Sequence, residues 1–194
     1  TSFYPSKPLG CYGDGGAIFT NDQEIVEKLF SIRNHGQGKS KYENIRIGIN
    51  GRLDTIQAAI LLEKLKIFPE ELQLRKKIAN KYFELLGDYY KCQFIPDEYE
   101  SAWAQFSLLA SNTEERTHCI NNLNEHEIPT AIYYPIPLHL QKAFNKLNYN
   151  KGDFPITEDI SSRIFSIPMH PYLTGGDINK ICELLISCKE SNKC

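Results

Sequence analysis

The sequence predicts a mixed α/β protein in two parts, and three features carry that expectation. Short aromatic and β-branched stretches at 2–4 and 17–20 flank a glycine-rich turn, which reads as two strand ends. Apolar residues then recur at helical spacing, first as Ile25, Val26, Leu29 and Phe30. Beyond Pro69, strand-like stretches near 93–95, 104–110 and 130–134 alternate with helical ones, the pattern of a small α+β domain. A boundary near Pro69 therefore divides the chain into 1–69 and 70–194.

In chain order, Asn21 or Asp22 is placed to cap the first helix, and Gly36 supplies a stop after His35. Residues 36–51, rich in glycine and basic side chains, read as a long loop, a common home for function. Asp54 is a good N-cap for a helix from about Thr55 to Lys66. Its middle, Ile56 to Leu62, is apolar on most sides, which predicts burial or a subunit contact. Pro69 should bend or restart the chain into a further helix bearing Ile78, Ala79, Tyr82, Phe83 and Leu86, ended by Gly87. Helices are then expected near 113–126, 139–147, 157–164 and 177–189, the second showing the clearest periodicity in Leu140, Ala143, Phe144 and Leu147.

Composition narrows the function. A chain that is 41% hydrophobic and 24% charged with net charge -2 is an ordinary globular sequence. Lys39, Lys41 and Arg46 form too short a basic run for a nucleic-acid partner. No apolar run reaches the roughly 20 residues of a membrane span, and a cytoplasmic location is expected. The six cysteines show no zinc-ligand spacing, so no metal is expected, and they read as reduced thiols, with Cys182 on the apolar face of the last helix.

The chemistry concentrates at Lys7. A lysine amine is nucleophilic only when neutral, and a site that limits its hydration or adds nearby positive charge favours that form. The glycines at 10, 13, 15 and 16 let backbone approach a bound group closely. They lack the spacing of a dinucleotide fingerprint. The residues alone leave a solvated lysine beside a tight turn as the alternative.

The stretch from Ser2 to Asp22 resembles the DegT/StrS family of pyridoxal-phosphate (PLP) sugar-nucleotide aminotransferases, whose Schiff-base lysine stands where Lys7 does. Gly48-Ile-Asn-Gly-Arg-Leu-Asp-Thr-Ile-Gln-Ala-Ala59 is similar to the family's second motif, and Tyr133 to Gln141 to a third. The resemblance implies the C-terminal half of a PLP-dependent transferase of fold type I: the end of the large-domain sheet in 1–69 and the small C-terminal domain in 70–194. By itself such a half is expected to be inactive, because the partners of the cofactor ring belong to the family's other half.

The same resemblance implies roles for single residues. Ser2 matches a serine that hydrogen-bonds the cofactor phosphate; locally it is also a plausible strand end. Asn50 matches an asparagine that reaches the neighbouring subunit's cofactor, although Asn-Gly is also an ordinary turn. Arg52 matches an arginine near the sugar nucleotide, with a helix-start salt bridge as its other use. Tyr133, Tyr134 and His139 match the stretch facing substrate; many relatives carry histidine where Tyr133 stands, and His139 could equally cap its helix. The implied function is transamination of a keto sugar on a nucleotide, UDP above all, with glutamate as amino donor, in polysaccharide or lipopolysaccharide biosynthesis by a homodimer with shared sites. A non-catalytic fragment or interaction module of the family is the alternative.

Overall fold

The computed structural model describes residues 1 to 191. It contains α1 (Gln23–Arg33), α2 (Thr55–Leu86), β1 (Phe106–Leu109), α3 (Thr113–Glu125), α4 (Pro155–Arg163), β2 (Ile164–Ile167) and α5 (Gly175–Ser191). Two 3-10 helices, Leu138–Leu140 and Lys142–Leu147, precede α4. The chain forms two compact units, Thr1–Pro69 and the stretch from Glu70 onward. Among the described residues no helix is long and apolar enough to cross a membrane.

In the first unit, Asp22 caps α1 by accepting from the backbone N–H groups of Glu24 and Ile25. Neither strand expected at 2–4 and 17–20 forms; the pairing is one antiparallel bridge, Ser2 to Gly16, continued by bonds between Thr1 and Ala17. The helix expected to end near Lys66 instead runs unbroken to Leu86 with Pro69 inside it. A proline forfeits one backbone bond, and the turns on either side keep theirs. Burial of its first half is also not seen: Leu61 is buried, whereas Ile56 is 74% and Leu62 63% exposed.

The second unit holds the core. Tyr82 and Leu86 of α2, Phe106 and Leu108 of β1, Leu123 of α3, Phe165 of β2 and Leu185 of α5 are all fully buried in one cluster. Strand β1 pairs antiparallel with β2, Phe106 opposite Ile167 and Leu109 opposite Ile164. Strand β2 was hidden in the sequence because its four residues follow α4 without a turn signal. The expected strand at 130–134 contributes a single bridge from Ala131 to Ser166, and that at 93–95 none, the neighbouring bridge being Lys91 to Leu109. The expected helix 139–147 is two short 3-10 turns with no buried residue, so its periodicity had no core to pack against.

Five cysteines among the described residues are free thiols, and Cys194 lies outside them. Burial pushes the Cys182 thiol up to about 12, so it packs as a small protonated hydrophobe. One buried ion pair closes the domain: Lys189 Nζ lies 2.5 Å from Glu115 Oε1 and 3.0 Å from Ser111 Oγ. Removal from water raises the Glu115 carboxyl, but its bonds from Lys189 and Ser111 outweigh that and hold it below the usual range.

Breaking this pair strands a buried charge. Lys189→Met should therefore lower unfolding stability by about 3 kcal/mol, read from urea denaturation at pH 7. The folded-state carboxyl being depressed, the wild-type contribution is present above the unfolded value near 4.3 and fades as pH falls through the folded one. A variant as stable as wild type at pH 7 would remove the ion pair from the account.

Candidate active site

The stretch from Ser2 to Gly16 folds into a closed loop. Phe3 N–H donates to Gly15 O at 2.8 Å, Cys11 N–H to Phe3 O at 2.8 Å and Lys7 N–H to Tyr4 O at 2.8 Å. The Cys11 side chain is fully buried inside, its Sγ 3.0 Å from the carbonyl oxygens of both Phe3 and Gly13. At Gly10 the backbone crosses so closely that a Cβ would stand 2.7 Å from the carbonyl oxygens of Tyr4 and Pro5. No other residue fits there.

Helix α2 braces this loop from one side. Gln57 Oε1 accepts from Tyr12 N–H at 2.8 Å, and two turns further on Lys64 Nζ donates to Gly10 O at 2.6 Å while lying 5.2 Å over the Tyr12 ring. Lys7 is exposed, and among the described residues its ammonium meets no side-chain or backbone acceptor. Two lysines serve the same loop, one spent on holding it and one free. Sequence reasoning missed Cys11, Gln57 and Lys64 as supports. The signal for Gln57 was a single amide inside the apolar run Ile56 to Leu62.

Asn50 and Arg52 are brought together at the loop that follows α1. Gly36, at φ +76, lets the chain reverse where a Cβ would lie 1.7 Å from Arg46 O. The return strand then binds back on α1: His35 N–H donates to Ile49 O at 2.9 Å, Gly51 N–H to Arg33 O at 2.8 Å, and Asn34 bridges Asn50. Arg52 Nε donates to Asn50 Oδ1 at 3.2 Å. That bond engages the amide oxygen, so the Asn50 NH2 and the outer Arg52 nitrogens remain as exposed donors. Leu53, next in the chain, sits against the Lys7 loop, its Cδ1 3.1 Å from where a Gly15 Cβ would be.

The donor set suits PLP. Lys7 offers a free primary amine on a braced loop. Ser2 Oγ uses a lone pair to accept from Tyr4 N–H at 3.2 Å, which leaves its O–H to donate to a phosphate oxygen.

In the second unit, Tyr133 and Tyr134 are 40% and 69% exposed, with rings edge to face at 5.6 Å. His139 is more deeply buried than either. Its Nε2 is 3.0 Å from Glu158 Oε1, its ring 4.7 Å from that of Phe154, and its side chain only 8% exposed. Glu158 is held below the usual carboxylate range, first by N–H bonds from Gly152 and then by His139 among others. Glu158 ties the 148–154 loop to α4 by accepting from Gly152 and Phe154 N–H, and His139 joins the 138–140 turn to that pair through its ring.

Comparison with known proteins gives the same picture. The DegT/DnrJ/EryC1/StrS aminotransferase family model matches residues 1–186. UDP-2-acetamido-2-deoxy-3-oxo-D-glucuronate aminotransferase of Pseudomonas aeruginosa is 45% identical over 95% of this chain and 50% of its own. A DegT/DnrJ/EryC1/StrS aminotransferase from Brucella abortus superposes with TM-score 0.89 at 49% identity, covering 97% of this chain and 50% of that one. NtdA from Bacillus subtilis, solved with bound cofactor PMP, superposes at 0.86 with 28% identity over 97% of this chain and 45% of its own. The chain spans about half the length of the curated relatives it matches. The fold is that of the corresponding half of these PLP-dependent enzymes.

The brace from α2 can be weighed directly. Gln57→Ala removes the acceptor of the Tyr12 amide, and a neutral hydrogen bond of about 1 kcal/mol corresponds to roughly fivefold. Hydrogen exchange of residues 10–13, followed by mass spectrometry, should quicken by about that factor. Unchanged exchange would mean that the loop stands without α2.

Proposed function

We propose, from the premise that this chain belongs to the DegT/DnrJ/EryC1/StrS aminotransferase family, that it supplies the covalent side of a PLP site that transfers an amino group onto a keto sugar carried by a nucleotide. The observation that carries the reading is the unpartnered Lys7 amine on a loop braced by Gln57 and Lys64. Bound there, the cofactor supplies the electron sink that amino-group transfer requires.

This chain's residues do the rest. Lys7 Nζ would hold the cofactor covalently and, as a freed amine, would take the proton from the donor's α carbon and give it up again within the same half-reaction, with the reverse transfer serving the keto sugar. The Ser2 hydroxyl donates to the phosphate in the same subunit. The Asn50 amide donates to the phosphate of a second subunit, its orientation set by Arg52. The exposed Ile56 and Leu62 of α2 supply the apolar surface for that homodimer.

The finer substrate reading is a UDP-linked 3-keto N-acetylglucosaminuronate, aminated from glutamate on the way to a polysaccharide. The likeness to the Pseudomonas aeruginosa enzyme supports it, and so does Arg52, whose planar fork suits the uronate carboxylate. Tyr133 and Tyr134 face the sugar.

In the full-length protein carrying this chain, Lys7→Ala should lower transamination of that substrate by about a hundredfold or more, assayed by mass detection of the amino sugar. A variant keeping most of the wild-type rate would remove Lys7 from the chemistry. Mixing Lys7→Ala with Asn50→Ala subunits should restore activity, since one site of the mixed dimer regains both residues. No recovery despite proven subunit exchange would place Asn50 outside the neighbour's site.

A further inference from the structure

Lys64 stands where an apolar residue is expected. Along α2, Gln57, Leu61, Lys64 and Phe68 follow one another at helical spacing on a single face, and Leu61 on that face is buried. Gln57 and Lys64 reach from this face to the Lys7 loop, whereas Lys66, on the opposite side, pairs with Glu63 in solvent. Lys64 is half-buried, and among the described residues no carboxylate pairs with it. Its ammonium donates to Gly10 O at 2.6 Å and lies over the Tyr12 ring. Withdrawing an ammonium from water is costly, and a methionine would fill the same place without that cost.

From Gly10 the path to Lys7 is short and lies within the first unit. Gly10 is buried, and among the described residues no other group donates to its carbonyl. Its backbone passes so close to Tyr4 O that an added Cβ would stand 2.7 Å away. That same Tyr4 oxygen accepts the Lys7 N–H at 2.8 Å. The carbonyl that orients the Lys7 backbone thus rests on the residue that Lys64 holds.

We propose that Lys64 is a positioning residue for Lys7, its charge serving the placement of the reactive amine and not the stability of the fold. The proposal rests on the reading of Lys7 as the cofactor-bearing amine and adds the group that fixes where that amine stands. Without the Lys64 donor the buried Gly10 carbonyl is unpaired, the turn from Tyr4 to Gly10 loosens, and the Lys7 amine spends less time in the reacting geometry. The role requires no contact between Lys64 and cofactor or substrate. In the unfolding balance, the lost bond and the uncharged stem oppose each other.

The test uses the full-length protein carrying this chain, as wild type, as Lys64→Met, which keeps the stem and loses the donor, and as Lys64→Arg, which keeps a donor. Hydrogen exchange of peptides spanning residues 4–10 is followed by mass spectrometry, the rate of Lys7 labelling by PLP is read after borohydride trapping, and kcat and KM are measured for amination of the keto sugar nucleotide. In Lys64→Met, exchange should quicken and labelling slow, each by about tenfold, and kcat should fall by about tenfold with KM unchanged. Lys64→Arg should recover most of each loss, and the urea midpoint of both variants should stay at the wild-type value. Unchanged labelling in Lys64→Met overturns the proposal, whatever the activity. A lowered urea midpoint with no recovery in Lys64→Arg overturns it too, since that pattern belongs to a merely structural lysine. A protein that shows the predicted exchange and labelling shifts yet aminates no keto sugar nucleotide, even as wild type, overturns the substrate reading and leaves the positioning role standing.

Discussion

The candidate site depends on the closure of the loop from Phe3 to Gly16 around one buried sulfur. Cys11 Sγ touches the carbonyls of Phe3 and Gly13, and the crossing at Gly10 leaves no space for a side chain. With the loop drawn shut, Lys7 N–H bonds to Tyr4 O, and its amine meets no partner among the described residues. A reactive amine must be positioned without being neutralised by its support. The arrangement meets both demands by placing the supporting contacts on Gly10, Cys11 and Lys64 and leaving the Lys7 side chain out of them.

The same division of labour recurs at the other donors. Arg52 binds the oxygen of Asn50, which fixes the amide and turns its NH2 outward. Ser2 accepts from Tyr4 and keeps its proton to give. In each case the acceptor face is used internally and the donor face is left over. Donors left over in this way suit an anionic ligand.

The candidate residues were legible through motifs that resemble the family's, while residue types alone left ordinary turn and surface readings open. Lys7, Ser2, Asn50 and Arg52 lie in compact motifs, and the glycines around them announce close backbone approaches. Helices α1, α3 and α5 were expected close to their observed bounds, and Asp22, one of the two caps expected for α1, does accept from first-turn amides. The supports were not legible, because Gln57 and Lys64 act on residues some fifty positions away in the chain and helical spacing does not show what a polar face will meet. Strand β2 and the unbroken α2 were missed for a related reason: core packing at Phe165 and Tyr82 overrides a local rule about turns or prolines. The 139–147 stretch erred in the opposite direction, its periodic pattern lacking a core to meet.

The central claim is that Lys7, and no other lysine, carries the cofactor. Incubating the full-length protein carrying this chain with PLP, reducing with borohydride and mapping the pyridoxyl group by peptide mass spectrometry tests this directly. The account predicts the label on Lys7, with Lys64 unmodified because its amine is committed to Gly10 and Tyr12. A label confined to Lys64 or another lysine, with Lys7 unmodified, would contradict it.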